Sequence, residues 1–330
     1  MVNMQAVAVA TKAARQAERR RIGRLRNTII QPGTEKRYVE SIERFLKWLA
    51  DRGYEVPSTR EEFDEVVSEF IEILWDEGAP KGHASDLVSG LQHKSPPLKG
   101  HFALSWRLLK AWGRAELPCR APPMPWVLLK AAVALSFALR WDDIGVLLWV
   151  SFDAILRTGE MLQLSKGDIF ASDNGDRAVI NLGWTKGGIR RGVEESVVIE
   201  DPAVARVLNA FVQNLAPGDF ILKRTAADFR AKFDQLMGAL GAGQWKFKPY
   251  SIRRGGATRH FREGGSLSAT TVRGRWGNSK TARIYINEGL AACAEMSEEL
   301  EGHGNTKYYA ASWELFLKKG RRPKVLTHPP

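Results

Sequence analysis

The stretch Lys248-Pro249-Tyr250-Ser251-Ile252-Arg253-Arg254-Gly255-Gly256-Ala257-Thr258 decides how the C-terminal half of this chain is read. Pro249 can stand in the first turn of a helix, where its missing N–H costs nothing, so the segment opens a helix over about 250–263. Two adjacent arginines followed by two glycines are poor packing choices at a helix start. They suit a backbone that a phosphate approaches closely.

Three further segments stand in order around it. Leu156-Arg157-Thr158-Gly159-Glu160-Met161-Leu162 closes a largely apolar helical run, and by itself Arg157 reads as a capping or surface residue. Trp184-Thr185-Lys186-Gly187-Gly188 lies between two β-type runs, Ala178–Leu182 and Ser196–Ile199, which predict a hairpin with Lys186 at its tip. Gly274-Arg275-Trp276 is followed nine residues after the tryptophan by Tyr285, in Thr281-Ala282-Arg283-Ile284-Tyr285. A tyrosine there is by default a half-buried helix residue. Each segment alone says little; their order and spacing say more.

Other chemistries lose support. There is no phosphate-binding GKS/T loop, no GxGxxG after a strand, no HExxH and no GxSxG, and the six histidines are scattered. The two cysteines, Cys119 and Cys293, can form neither a disulfide framework nor a cysteine-based zinc site, which predicts an intracellular protein. The most apolar stretch, Trp126 to Leu156, is broken by Lys130, Arg140, Asp142, Asp143 and Asp153, short of the roughly 18–20 uncharged residues of a membrane span.

An arginine with Glu three residues later, a hairpin lysine, a second arginine opening a helix, then Trp and Tyr nine apart together resemble the catalytic set of the tyrosine recombinase, or phage integrase-like, family. The Arg-Arg-Gly-Gly-Ala-Thr and Gly-Arg-Trp segments look most like recombinases of Crypton and DIRS-type eukaryotic mobile elements. The resemblance covers most of the chain. It implies a mainly α fold with a small antiparallel β-sheet, a helical core-binding domain preceding the catalytic domain, and metal-independent chemistry without a cofactor.

Carried over residue by residue, the resemblance makes Tyr285 the nucleophile that attacks a DNA phosphodiester and forms a 3′-phosphotyrosyl link. Arg157 and Arg253 would clamp the non-bridging oxygens, Lys186 would protonate the departing 5′ oxygen, Trp276 would donate a hydrogen bond to the phosphate, and Glu160 would support Arg157. Planar arginines suit the charge that phosphoryl transfer places on those oxygens. One position departs from the pattern: the family usually has His three residues before the second arginine, and here that residue is Tyr250, a hydrogen-bond donor but a weak base at pH 7. His260, about two helical turns beyond Arg253, reads as structural.

Charge points to the partner. The 330 residues hold 49 Lys and Arg against 37 Asp and Glu, a formal net charge of +12. Residues 1–27 carry seven basic side chains, among them Arg19, Arg20 and Arg21, against Glu18 alone, and 318–330 carry five with no acid. The body between them is therefore nearly neutral, with an acidic stretch over 55–77 and a basic one over 223–259. Basic tails fit a polyanion, so Arg19, Arg20, Arg21, Lys248, Arg254 and Arg275 are the candidate DNA contacts.

The chain divides into a basic arm (1–32), a helical DNA-binding domain (33–117), a linker marked by Pro118, Pro122, Pro123 and Pro125 (118–125), a catalytic domain (126–317) and a basic tail (318–330). Thr34 is expected to cap the first helix of the helical domain, and Thr59 with Glu62 to form a capping box on the second. The region after Tyr285, with the acidic residues Glu295–Glu301 and the segment Tyr308–Leu317, is expected to pack on a neighbouring subunit. The expected function is cleavage and rejoining of double-stranded DNA by a dimer or tetramer, in the nucleus if the eukaryotic-element likeness holds. A DNA-binding protein that has lost turnover, a type IB topoisomerase and an unrelated helical polyanion binder stay as alternatives.

Overall fold

The computed structural model describes residues 11–55, 57–199, 201–264, 266–296 and 304–326. Contacts divide the chain between Cys119 and Arg120 into an N-terminal and a C-terminal unit.

In the N-terminal unit, α1 (Lys12–Ile22) is capped by Thr11 and buries no residue, as expected of a helix whose last turn holds Arg19, Arg20 and Arg21. Four helices follow: α2 (Pro32–Asp51), α3 (Arg60–Asp76), α4 (Lys81–Lys94) and α5 (Ala103–Ala115). Thr34 does not cap α2. The helix starts two residues earlier, at Pro32, because proline fits the first helical position and the carbonyl of Gln31 takes the N–H groups of Thr34 and Glu35. The Thr59–Glu62 capping box on α3 forms as read. Phe45, Leu49, Val67, Phe70, Ile71, Leu74, Leu87, Val88, Leu109 and Trp112 make the core of this unit. The buried Asp64 of α3 accepts from the backbone of Leu104 at 2.7 Å and of Ser105 at 3.0 Å, and from the Ser105 hydroxyl at 2.6 Å, satisfying donors that the start of α5 would otherwise orphan.

In the C-terminal unit, α6 (Trp126–Ala138) and α7 (Asp142–Asp153) are apolar on nearly every face and form its centre. Of the stretch expected as linker, Pro122, Pro123, Met124 and Pro125 are buried here, and the Met124 N–H donates to the Ser251 carbonyl at 3.0 Å. After α8 (Thr158–Leu162) comes a three-stranded antiparallel sheet, β1 (Ile169–Ala171), β2 (Ala178–Gly183) and β3 (Glu195–Ile199), in which β2 and β3 pair as the predicted hairpin, Ile180 opposite Val197. The β2–β3 connection is itself helical, α9 (Lys186–Arg191), so Lys186 opens a helix instead of standing on a bare turn.

Next come α10 (Pro202–Gln213), α11 (Ala226–Ala239), α12 (Pro249–Gly264), α13 (Leu267–Arg273), α14 (Ser279–Tyr285), α15 (Glu288–Met296) and α16 (Gly304–Lys319). The sequence patterning above does not predict α10, although Asp201 capping a helix that starts at Pro202 is a legible start signal. The segment Tyr308–Leu317, expected against a neighbouring subunit, packs in cis: Trp313 of α16 is fully buried with its ring 4.6 Å from Trp149 and 5.5 Å from Phe137, and Glu314 pairs with Lys130 at 2.7 Å. In the basic tail, Arg322 is likewise held by Asp142 and by the Phe137 carbonyl. Among the described residues no helix is long and apolar enough to cross a membrane.

Candidate active site

Residues 251–258 of α12 are all buried. The double glycine that the sequence suggested for phosphate approach is instead a packing device. A Cβ on Gly256 would sit 2.0 Å from the Phe152 carbonyl oxygen, and one on Gly255 would sit 2.2 Å from the Met124 carbonyl oxygen and 2.7 Å from the Phe152 ring. The glycines let α12 lie directly on α7 and on the proline-rich strand, and that close approach carries Arg253 into the interior.

Arg253 is 1% exposed. It donates to the carbonyls of Ile155 and, at 2.6 Å, of Gly274, and its guanidinium lies 4.7 Å from the centroid of the Trp276 ring and 5.2 Å from that of Tyr285. Ile155 presents its carbonyl from a buried, left-handed conformation, φ 48°, which a β-branched residue adopts only under the constraint of its surroundings. Gly274 has its own steric reason: a Cβ there would fall 1.9 Å from the Trp276 ring, which folds back over the turn.

Tyr285 ends α14, half-buried, with its ring 4.7 Å from Trp276 and 5.5 Å from Tyr250. The Asn287 N–H donates to the Thr258 hydroxyl at 3.3 Å and fastens the chain beyond Tyr285 to α12. Burial alone would raise the Tyr285 pKa, yet the Tyr250 hydroxyl and the Arg253 charge hold it below the ordinary tyrosine value. Tyr250 moves the other way, pushed up by burial and by its bond to Tyr285. His260 meets the Thr270 hydroxyl at 2.9 Å, in keeping with a structural role.

Arg157 caps α8 and faces two acids. Its Nη1 lies 2.5 Å from Glu160 and 3.2 Å from Glu195, and its Nη2 donates to the Arg275 carbonyl at 3.3 Å. Burial disfavours its charge, but the two carboxylates more than offset that and raise its pKa. Arg275, expected on DNA, is buried in a left-handed conformation, φ 57°, with Nη2 2.6 Å from Glu160 and Nε 3.4 Å from Glu195. In this arrangement it braces the wall of the site. Arg254 is also buried, whereas Lys248, Arg19, Arg20 and Arg21 are exposed. The backbone of Lys186 starts α9, and its side chain lies outside the described residues.

The sequence reading missed Glu195 and the Thr185 hydroxyl that donates to it at 2.6 Å. Their only local signal is an acid at an inward position of β3, beside Val197 and Ile199. With Arg157, Arg253 and Arg275 gathered about Glu160 and Glu195, positive charge is in surplus. Burial pushes Arg253 below the ordinary arginine range, helped by Arg275 and Arg157. The Nε–H groups of Arg253 and Arg254 and the Trp276 indole N–H are buried without a hydrogen-bond acceptor among the described residues. Buried donors and excess positive charge suit an oxyanion.

This mainly helical architecture around a small three-stranded antiparallel sheet matches the fold of solved transposon integrase structures. The chain is similar to the Tn1549 transposon integrase in complex with transposon right end DNA, over 90% of this chain and 98% of that one, at 15% identity and a TM-score of 0.57. It is similar to the same integrase in complex with circular intermediate DNA over 80% and 99% of the two chains, at 13% identity and a TM-score of 0.54. No protein-family model and no curated protein matches the sequence.

Proposed function

We propose that this chain is a tyrosine recombinase that cuts and rejoins double-stranded DNA through Tyr285. The observation that carries the reading is the convergence of Arg253, Trp276 and Tyr250 on the Tyr285 ring, with buried donors left for an anion. The DNA complexes of the similar Tn1549 integrase support it.

In the proposed step the Tyr285 oxygen attacks phosphorus, and its proton passes to water, since Tyr250 is a weak base at neutral pH. Arg157 and Arg253 hold the non-bridging oxygens, with the Trp276 N–H as a further donor. The bond from phosphorus to the 5′ oxygen breaks, and Lys186 supplies the proton that oxygen needs, a contribution on the order of 10²–10⁴-fold. The 3′-phosphotyrosyl ester keeps the bond energy, so attack by a 5′-hydroxyl reverses the step without a co-reactant. The protein would act as a dimer or tetramer on paired sites, as a Crypton- or DIRS-like element recombinase in the nucleus.

A nicked duplex whose short leaving strand diffuses away tests this. Wild type should give a denaturant-stable protein–DNA adduct, and Tyr285→Phe should bind DNA without forming one. Binding without any adduct across a pool of substrates would replace the proposal with a DNA-binding protein that has lost turnover, a reading favoured by Tyr250 standing where the family's base is usually His. Relaxation of a plasmid lacking paired sites would indicate a topoisomerase.

A further inference from the structure

On the recombinase reading, two groups must be set relative to one another: the lysine that protonates the leaving oxygen and the arginine that holds the phosphate. They come from different parts of the chain, Lys186 from the β2–β3 connection and Arg157 from the start of α8. One carboxylate lies between those parts.

Glu195 begins β3, whose alternation turns residues 195, 197 and 199 inward. The other two inward residues are Val197 and Ile199, so a carboxylate occupies a core position. Its Oε2 accepts from the Thr185 hydroxyl at 2.6 Å, and lies 3.2 Å from Arg157 Nη1 and 3.4 Å from Arg275 Nε. Thr185 is also the N-cap of α9: the same hydroxyl oxygen accepts the Gly188 N–H at 3.0 Å. Gly188 closes this turn against the chain that leads into β3, because a Cβ there would lie 2.4 Å from the Val193 carbonyl oxygen. A single hydroxyl thus joins the first turn of the Lys186 helix to the acid that orients Arg157. Packing alone gives no reason for the acid, since a buried ionic cluster is commonly no more stable than an apolar replacement of similar volume.

We propose that Glu195 is a positioning residue, which through Thr185 ties the helix opened by Lys186 to the Arg157–Arg275 pair and so sets the proton donor against the phosphate clamp. The inference rests on the recombinase reading. It assigns Glu195 an effect on leaving-group protonation that a residue merely stabilising the fold would not have.

The test compares single-turnover cleavage of two nicked duplexes, one with the ordinary 5′ oxygen at the scissile phosphate and one with sulfur in its place. Sulfur departs without needing a proton. Glu195→Gln and Thr185→Val should slow cleavage at oxygen, on the order of 10²-fold for a misplaced catalytic group, while leaving DNA affinity unchanged. With sulfur, Thr185→Val should return close to the wild-type rate, and Glu195→Gln, which also loses its hold on Arg157, should recover in part. Thr185→Ser keeps the hydroxyl and should retain the wild-type rate on both substrates. Equal slowing at oxygen and sulfur would overturn the tie to Lys186, and an unaffected Glu195→Gln would overturn the role of the acid. If Glu195→Gln does not fold, the contrast between Thr185→Val and Thr185→Ser decides. Adduct from wild type with both variants unimpaired sinks only this inference, whereas no adduct from wild type on either duplex sinks the recombinase reading beneath it.

Discussion

Arg157 and Arg253, which come from different elements, are held by neighbouring carbonyls of one turn: Arg253 donates to Gly274 at 2.6 Å and Arg157 to Arg275 at 3.3 Å. The turn that carries Trp276 therefore sets the spacing of both guanidinium groups. Its shape depends on two residues with steric reasons of their own, Gly274 under the Trp276 ring and Arg275 in a left-handed conformation.

Gly274→Ala should cost activity more than stability. The Gly274 backbone has ordinary helical angles, so alanine is not excluded there by φ, but its Cβ would displace the Trp276 ring. Adduct formation should fall on the order of 10²-fold, with a smaller loss of stability from crowding the buried ring. A variant of normal rate would show that the ring position is not needed.

The pH dependence of cleavage reports the Tyr250–Tyr285 pair. The attacking form of Tyr285 is the phenolate, so the rate rises as pH passes through its pKa, which lies below the ordinary tyrosine value because the neighbouring Tyr250 hydroxyl and Arg253 charge outweigh burial. Tyr250→Phe removes the hydroxyl beside Tyr285, and the rising limb should move to higher pH. The variant should be slower than wild type at neutral pH and approach it at alkaline pH. A limb in the same place would show that Tyr250 does not tune the nucleophile.

Gly256→Ala and Gly255→Ala should each destabilise the C-terminal unit by overpacking, about 1–3 kcal/mol, because the new methyl meets backbone oxygen of Phe152 or Met124. Urea unfolding measures it. Unchanged stability would mean that α12 can retreat from α7 at no cost.

Trp313→Ala should cost about 3–5 kcal/mol, as for other buried tryptophans, since the ring is fully buried against Phe137 and Trp149 of its own chain. Because the packing is in cis, the destabilisation should not depend on protein concentration. A concentration-dependent effect would show that α16 exchanges between subunits.

Removal of residues 1–27 should leave the thermal midpoint unchanged, because α1 buries no residue. Its basic side chains lie at the surface, and the slope of log affinity against log salt should flatten by about 0.9 for each phosphate that the arm neutralises. An unchanged slope would show that the arm does not touch DNA.

The sequence by itself determined what depends on short-range rules. The 3.6-residue periodicity of α2 and α3, the Thr59–Glu62 capping box, the alternating runs of β2 and β3, and the order of Arg157, Lys186, Arg253, Trp276 and Tyr285 are all visible within a few residues of each position. Tertiary structure alone decided what depends on which faces meet. The Gly255-Gly256 pair looks the same in sequence whether a phosphate or Phe152 approaches it, and only the packing of α12 on α7 selects Phe152. Arg254 and Arg275 read as surface charge until burial and, for Arg275, the carboxylates of Glu160 and Glu195 are seen. Glu195 carries no local signal beyond its charge, because its partners Thr185, Arg157 and Arg275 converge only when β3, the N-cap of α9, the start of α8 and the Trp276 turn fold onto one another. Local propensity acts over a turn or two of chain, whereas the pairing of buried charges is set by contacts between segments far apart in it.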